Sequence, residues 1–377
     1  MKVISLFAWA WWLDLGFALA WHEIVWANDF DEDALKTYEK NFKSFNKHKI
    51  ILWDIVKYLN QNEDTLKKEI PDADIVIWWF PCQWFSIANI NRTMQDERNY
   101  LYLQVLKMIK LKEPKFILLE NVKWLENIEK WKVLSMILND IENTWKWYTV
   151  FYNVINALNY GVPQNRERII IFWVRNDYAD KIKLPISSSI NPKHPKKILN
   201  IPTTHSEISK EKQSISSINI ISDMFEKKRN NLSYSIKDYF DSNKKYSYQT
   251  LRDTIYDLPE ETDNSNILNH TSSKCKLVDK NSIKRKMVWN RPTQWDKHSP
   301  TIMWRGSWTW WPLIIPHPEY NRRMSVREVA RIQTFPNSFE FVWSNSSCYR
   351  QIWNAVPVLM AYHIWKIFPL NTDDFLK

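Results

Sequence analysis

The sequence predicts a doubly wound, mostly parallel α/β sheet with a smaller, loop-rich second domain, on three observations. Short apolar runs alternate with helical patterns along the first half of the chain. Polar or acidic residues follow the ends of those runs. The texture then changes to Lys, Ser, Asn and Pro with weak periodicity, which divides the chain into a sheet domain over 1–185, a loop-rich domain over 186–320, a hinge and helix region over 321–344, and a segment over 345–377 that returns to the sheet domain.

Each element follows from its own pattern. Residues 2–7 (KVISLF) read as a buried strand and residues 13–20 as the helix after it. Residues 24–27 form a second strand that ends at Asn28 and Asp29, followed by a polar amphipathic helix over 33–41. Strands at 50–52, 75–77 and 116–119 run into Asp54, into Phe80-Pro81-Cys82-Gln83, and into Glu120-Asn121. Ligands of open α/β sheets bind outside the carboxyl ends of the strands, so Phe7, Asp29, Asp54, Cys82 and Glu120 are expected around one crevice. Residues 326–332 read as a helix and 354–368 as an apolar segment.

Composition bounds the function. A chain of 377 residues buries a sizeable core, and its net charge of +10 favours a polyanionic partner, although an AT-rich coding sequence rich in Lys, Asn and Ile explains the same basicity. Cys82, Cys275 and Cys348 are far apart and lack CxxC spacing, so neither a disulfide framework nor a metal site is expected. The first twenty residues imitate a secretory signal, but Asp14 interrupts the apolar run, at a cost of about 2.5–3.5 kcal/mol in a membrane. A cytoplasmic protein with no membrane partner is expected.

Glycine is nearly missing. At about 7% of residues, roughly 26 would be usual, yet the chain has 3 glycines and 23 tryptophans, and the two types together fill that quota. Doublets such as Trp11-Trp12, Trp78-Trp79 and Trp310-Trp311 stand where turns or close backbone approaches want Gly-Gly. They follow no helical or strand period, as an aromatic core or a base-stacking platform would.

Pro81-Cys82-Gln83 is the sharpest chemical element. A lone cysteine is more often a small core residue, but this one follows a buried strand and shares the expected crevice with Glu120, Arg166 and Arg168, and cationic neighbours favour the reactive thiolate. Taken singly, Glu120, Asp29 and Asp54 read equally well as helix caps.

The order of motifs resembles the DNA (cytosine-5)-methyltransferases of bacterial restriction–modification systems. Phe7-Ala8-Trp9-Ala10-Trp11-Trp12 stands for F-x-G-x-G-G, and Phe80-Pro81-Cys82-Gln83 and Glu120-Asn121-Val122 follow in order. Gln164-Asn165-Arg166-Glu167-Arg168 matches Q-x-R-x-R, then come Arg327-Glu328-Val329-Ala330-Arg331 before Gln333-Thr334-Phe335-Pro336, and Asn354-Ala355-Val356-Pro357.

The resemblance implies a Rossmann-like, S-adenosylmethionine-dependent fold that methylates a cytosine flipped out of duplex DNA, with 186–320 as the target-recognition domain. It implies catalytic roles for Cys82, Gln83, Glu120, Arg166 and Arg168, and S-adenosyl-L-methionine contacts from Phe7, Asp29, Phe30, Asp54, Ile55, Pro81, Asn354 and Val356. Gln164, Arg305, Arg327 and Arg331 are expected on the nucleic acid. A monomer and a cognate restriction endonuclease acting on the same site are further implications. Two alternatives stay open: a catalytically inactive DNA-binding protein on this scaffold, and a tRNA cytosine-5 methyltransferase.

Trp9, Trp11, Trp12, Trp78, Trp79 and Trp353 stand at glycine positions of the family pattern. A left-handed non-glycine residue costs ~1–2 kcal/mol and overpacking about 1–3 kcal/mol per buried site. Some ten such sites would exceed a stability of about 5–15 kcal/mol, so the chain as written is expected to fold poorly and to have little activity.

Overall fold

The computed structural model describes residues 1–7, 12–42, 49–78, 101–123, 132–144, 148–179, 186–191, 194–199, 201–207, 216–241, 244–260, 262, 266–271, 293–302, 315–320, 322–365 and 368. Five strands, β1 (Lys2–Leu6), β2 (Glu23–Asp29), β3 (Lys49–Leu52), β4 (Ile75–Trp78) and β5 (Phe116–Val122), lie parallel in the order β3-β2-β1-β4-β5. Their near-continuous apolar character has a direct cause, because both faces of a parallel sheet are covered by helices.

The alternation of side chains along the strands assigns the two faces. Val3, Ala27, Ile75, Ile77, Phe116 and Leu118 join one core with α1 (Trp12–Leu19), α2 (Glu32–Phe42) and α12 (Val358–Trp365). Ile4, Leu6, Val76, Trp78, Ile117 and Leu119 join the other with α5 (Leu101–Lys112) and α6 (Lys132–Thr144). The period of two within each strand is what produces this division.

The sheet then reverses. β7 (Glu167–Arg175) runs antiparallel to β5, and β6 (Tyr148–Asn156) runs antiparallel to β7 on its far side. The link between them turns at Gly161, whose φ of +80° suits glycine, and a Cβ there would come within 2.7 Å of the His205 ring. Neither strand belongs to the βαβ units legible in the sequence. Two more strands, β8 (Ile186–Asn191) and β9 (His194–Leu199), extend the edge beyond β6, so the sheet continues past the boundary expected at residue 185. Their polar, Lys- and Ser-rich residues suit an edge, and for that reason they read as loop.

Near the C-terminal end of the described residues, α12 lies against the first described helix, α1. α12 packs across α1 so closely that a Cβ on Gly16 would lie 2.5 Å from the Cβ of Ala361. Within residues 186–320, α8 (Ser217–Arg229) buries Ile218, Ile221, Met224 and Phe225 into the same core. α10 (Val326–Ile332) starts with a reciprocal capping box between Ser325 and Glu328, and α11 (Asn345–Asn354) leads into α12. Among the described residues, no helix is long and apolar enough to cross a membrane.

Candidate active site

Parallel strands deliver their carboxyl ends to one edge, and here that edge carries Phe7, Asp29, Asp54 and Glu120. Because β7 runs the other way, its first residues reach the same edge, and Arg168 pairs in register with Val122. Arg168 Nε lies 2.9 Å from Glu120 Oε1, and the two side chains are 9% and 1% exposed. A buried carboxylate needs such a partner. A guanidinium Nη1 of Arg168 also donates to the Glu167 carbonyl.

Arg166 is buried behind this pair. It donates from Nη2 to the Trp353 carbonyl at 2.9 Å and from Nη1 to the Ile302 carbonyl at 3.4 Å. Burial, and then the neighbouring Arg168 charge, push its pKa well down. Arg166 thereby joins the start of β7 to the turn that presents Asn354.

On the other half of the edge, Asp29 is buried and its Oδ1 accepts from the backbone N–H groups of Phe30 and Asp31 at 2.7 and 2.8 Å. The Asn28 amide donates to the carbonyls of Ile51 and Trp53, which draws the end of β3 alongside β2. Asp54 caps α3 (Ile55–Tyr58) by accepting from Val56 N at 2.8 Å, and Ile55 is buried beneath it. The Phe30 ring is 61% exposed. Phe7 has φ +54°, a sparsely populated conformation for a bulky residue, at the point where β1 leaves the sheet.

Asn354 and Val356 are buried at the end of α11, and neither polar atom of the Asn354 side chain has a hydrogen-bond partner among the described residues. A fully orphaned buried amide suits a polar ligand group. With Asp29 for a ribose diol, an exposed aromatic ring at Phe30 and carboxylates suited to a cation, the residues fit S-adenosylmethionine.

In the sequence Asp14 stands out only as an interruption of an apolar run. It is buried in α1, and burial, partly offset by a hydrogen bond with Ser5 and reinforced by the Asp29 charge, raises its pKa to about 8. A lone acid on an otherwise apolar helix is the signal that points to it.

The nucleic-acid residues fare differently. Gln164 is buried, and its Oε1 accepts from Ile302 N at 3.1 Å. Arg327 is buried too, donating to the carbonyls of Leu268, Pro336 and Phe339. Arg331 bonds Asp257, Asn337 and the Thr254 carbonyl. Arg327 and Arg331 are thus engaged by groups inside the protein, whereas the Gln164 Nε2 has no hydrogen-bond partner among the described residues. A polar cleft of about 470 Å³ opens beside the start of β7, lined in part by Asn165, Glu167, Lys297, His298 and Thr301. Asn165 and Glu167 of this cleft fall within the Gln164–Arg168 motif, whereas Lys297, His298 and Thr301 belong to no motif recognised in the sequence. Pro81, Cys82, Gln83 and Arg305 lie outside the described residues.

The profile of the family described as C-5 cytosine-specific DNA methylase matches residues 1–368. The chain is 32% identical over 380 residues to the type II methyltransferase M.NgoFVII of Neisseria gonorrhoeae, covering 100% of this chain and 88% of that one. It is 30% identical to M.BsuRI of Bacillus subtilis over 96% of this chain and 77% of the relative. Among solved structures, a prophage-encoded DNA modification methyltransferase of E. coli superposes with a TM-score of 0.59 at 22% identity, over 97% of this chain and 98% of the other. The S. pombe Dnmt2 methyltransferase superposes with a TM-score of 0.56 at 17% identity, over 97% and 98%. At these identities the structural likenesses establish the fold.

Proposed function

Because the chain belongs to the C-5 cytosine-specific DNA methylase family, we propose that it moves a methyl group from S-adenosylmethionine to C5 of a cytosine turned out of duplex DNA, through a bond between Cys82 Sγ and C6. As a member of that family it is a DNA cytosine-5-methyltransferase. The observation that carries the mechanism is the buried pair of Glu120 and Arg168 at the carboxyl edge of the sheet.

The target base must leave the stack, since its C5 and C6 are inaccessible within it. Cys82 adds to C6 as the thiolate while Glu120, entering the step as the protonated acid, passes its proton to N3. The carboxylate left behind pairs with Arg168 and holds the N3–H, so that electron density gathers at C5. S-adenosylmethionine, when bound, supplies the electrophilic methyl. The C5 proton then passes to a solvent water, the electron pair of that C–H bond expels the Cys82 thiolate from C6, and N3 returns its proton to the Glu120 carboxylate. Arg166 positions Arg168 and the turn at Asn354, and Gln83 and Pro81 shape the nucleophile's turn.

For the donor, Asp29 accepts from the ribose hydroxyls, Phe7 and Phe30 pack on the adenosine, Asp54 and Ile55 hold the adenine, and Asn354 and Val356 meet the methionine end. The cleft at Lys297 and His298 takes the DNA backbone, and the loop-rich domain over 186–320 reads the target. The protein acts as a monomer in the cytoplasm, beside a restriction endonuclease of the same specificity.

The test is transfer of labelled methyl to mixed-sequence duplex DNA and, separately, to tRNA. It uses the chain as written, a version with glycine at Trp9, Trp11, Trp12, Trp78, Trp79 and Trp353, and a Cys82→Ala form of that version. Label at cytosine C5 in DNA, lost with Cys82→Ala, is the expected result. Label in tRNA alone, or transfer that survives Cys82→Ala, would sink the proposal.

A further inference from the structure

Several tryptophans occupy places where an indole does not belong. The end of α1 forms a Schellman motif, in which Trp21 N donates to the Ala18 carbonyl and His22 N donates to the Phe17 carbonyl. The residue at the left-handed position of that motif is Trp21, at φ +66°. Glycine is the usual occupant, because it has no Cβ to clash. Trp343 stands at φ +90°, further into the region that side chains avoid.

Packing points the same way independently. The ring centroids of Phe17 and Trp365 are 3.2 Å apart at an interplanar angle of 41°, well inside the roughly 4.5–7 Å at which aromatic pairs rest. Trp173, in the middle of β7, and Trp365 are fully buried, and their indole N–H groups have no hydrogen-bond partner among the described residues. Buried tryptophans usually find one. Trp295 shows none of these three signs: its φ is not left-handed, its indole is not buried without a partner, and it meets Tyr256 and His317 edge-on at 5.2 Å each. Trp21 and Trp343 also have ring or cation neighbours, in Tyr234, Lys228 and Lys36, and are set apart by φ alone.

Phe7, Glu113, Asn231, Asn269 and Thr334 share the left-handed region at φ +42° to +57°, but Trp21 and Trp343 lie furthest into it. The buried unpaired indoles and the overlapping ring pair add to them in a chain whose excess of tryptophan matches its deficit of glycine. Point mutation does not exchange nearly every glycine of a chain for tryptophan; a codon does. We infer that the codon rendered as tryptophan at positions 21, 173, 343 and 365 is decoded as glycine in the source cell, and that the cellular protein carries glycine there. UGA fits this role, being a codon whose meaning differs between translation systems and one base away from the glycine codon GGA. Gly16, Gly161 and Gly306 are then the glycines written with ordinary codons, and Trp295 is a tryptophan written with UGG. The inference does not depend on the methyl-transfer chemistry, since it rests on φ angles, ring distances and unpaired indoles.

Peptide mass spectrometry of the protein isolated from its own cells decides the matter. Glycine at positions 21, 173, 343 and 365 with tryptophan at Trp295 is the expected result. Tryptophan at those four positions overturns the inference, and glycine at Trp295 as well would overturn the distinction drawn from packing. A recombinant chain carrying Trp21→Gly, Trp343→Gly and Trp365→Gly is expected to melt on the order of 10 °C above the chain as written. Equal or lower melting would refute the claim that these side chains are strained.

Discussion

Arg168 reaches across from β7 to hold Glu120 of β5 at 2.9 Å, joining two antiparallel strands at the edge where the parallel strands end. The pair brings together two residues 48 positions apart in sequence, and it is buried, so each partner depends on the other. Arg168→Ala is expected to lower stability by about 3–5 kcal/mol, the usual cost of stranding a buried charge. Glu120→Gln keeps the shape and is expected to lower methyl transfer by roughly 10²–10⁴ with a much smaller change in melting. Single-turnover methyl transfer and thermal melting of both variants check this, and a Glu120→Gln enzyme of normal rate would remove Glu120 from the chemistry.

Asn354 pits binding against stability. A buried, unpaired amide costs about 1–3 kcal/mol, so Asn354→Leu is expected to raise the melting temperature of the ligand-free protein. The same change is expected to weaken S-adenosylmethionine binding at least tenfold, or about 1.4 kcal/mol. Calorimetry with the donor, beside melting without it, reads both quantities. A variant that loses stability while binding the donor normally would contradict this role.

Asp14 makes stability fall as pH rises. Its carboxyl has a pKa near 8 in the folded protein against 3.8 as the ordinary value, so between those two pH values the folded state holds a proton that the unfolded state releases. The contribution is therefore fully present below about pH 4 and lost progressively up to about pH 8. Asp14→Asn removes the titration. Denaturant unfolding from pH 4 to pH 8 is expected to show the variant gaining on the parent as pH rises, and parallel curves would exclude it.

Lys297 and Arg327 should separate surface contact from internal scaffolding. Lys297→Gln is expected to weaken duplex binding and to reduce the slope of log Kd against log salt by about one, the loss of one phosphate contact. Arg327→Ala instead leaves buried carbonyls without donors, so it is expected to lower melting while the salt slope of the remaining folded protein stays unchanged. Fluorescence-anisotropy titrations over a salt series distinguish the two outcomes.

Much of this is legible in the sequence, for physical reasons. β1 to β5 are readable because strands buried on both faces are written as apolar runs, and the acids at their ends mark the crevice. β6 and β7 are not, since nothing local in Tyr148–Asn156 or Glu167–Arg175 tells the chain to reverse direction between β5 and β9. The pairing of Glu120 with Arg168 is foreseeable as a shared crevice, although its register is not. The burial of Arg327 and Arg331 is not legible because charged residues are seldom fully buried unless paired, and partners such as Leu268, Thr254 and Asp257 come from distant segments. Asp14 argues in the sequence only against a membrane segment, whereas its weight in the fold comes from burial beside Ser5 and Asp29.

The crossing of α1 and α12 at Gly16 has a consequence for how the protein is born. Gly16 leaves the ribosome 345 residues before Ala361, so the surface of α1 that meets Ala361 stays bare until those residues have emerged. Contacts of such long sequence separation form late and slowly. A nascent chain, or one cut short by a premature stop, therefore exposes an unfinished apolar face to chaperones and proteases. Quality control can recognise every incomplete copy by that single open seam.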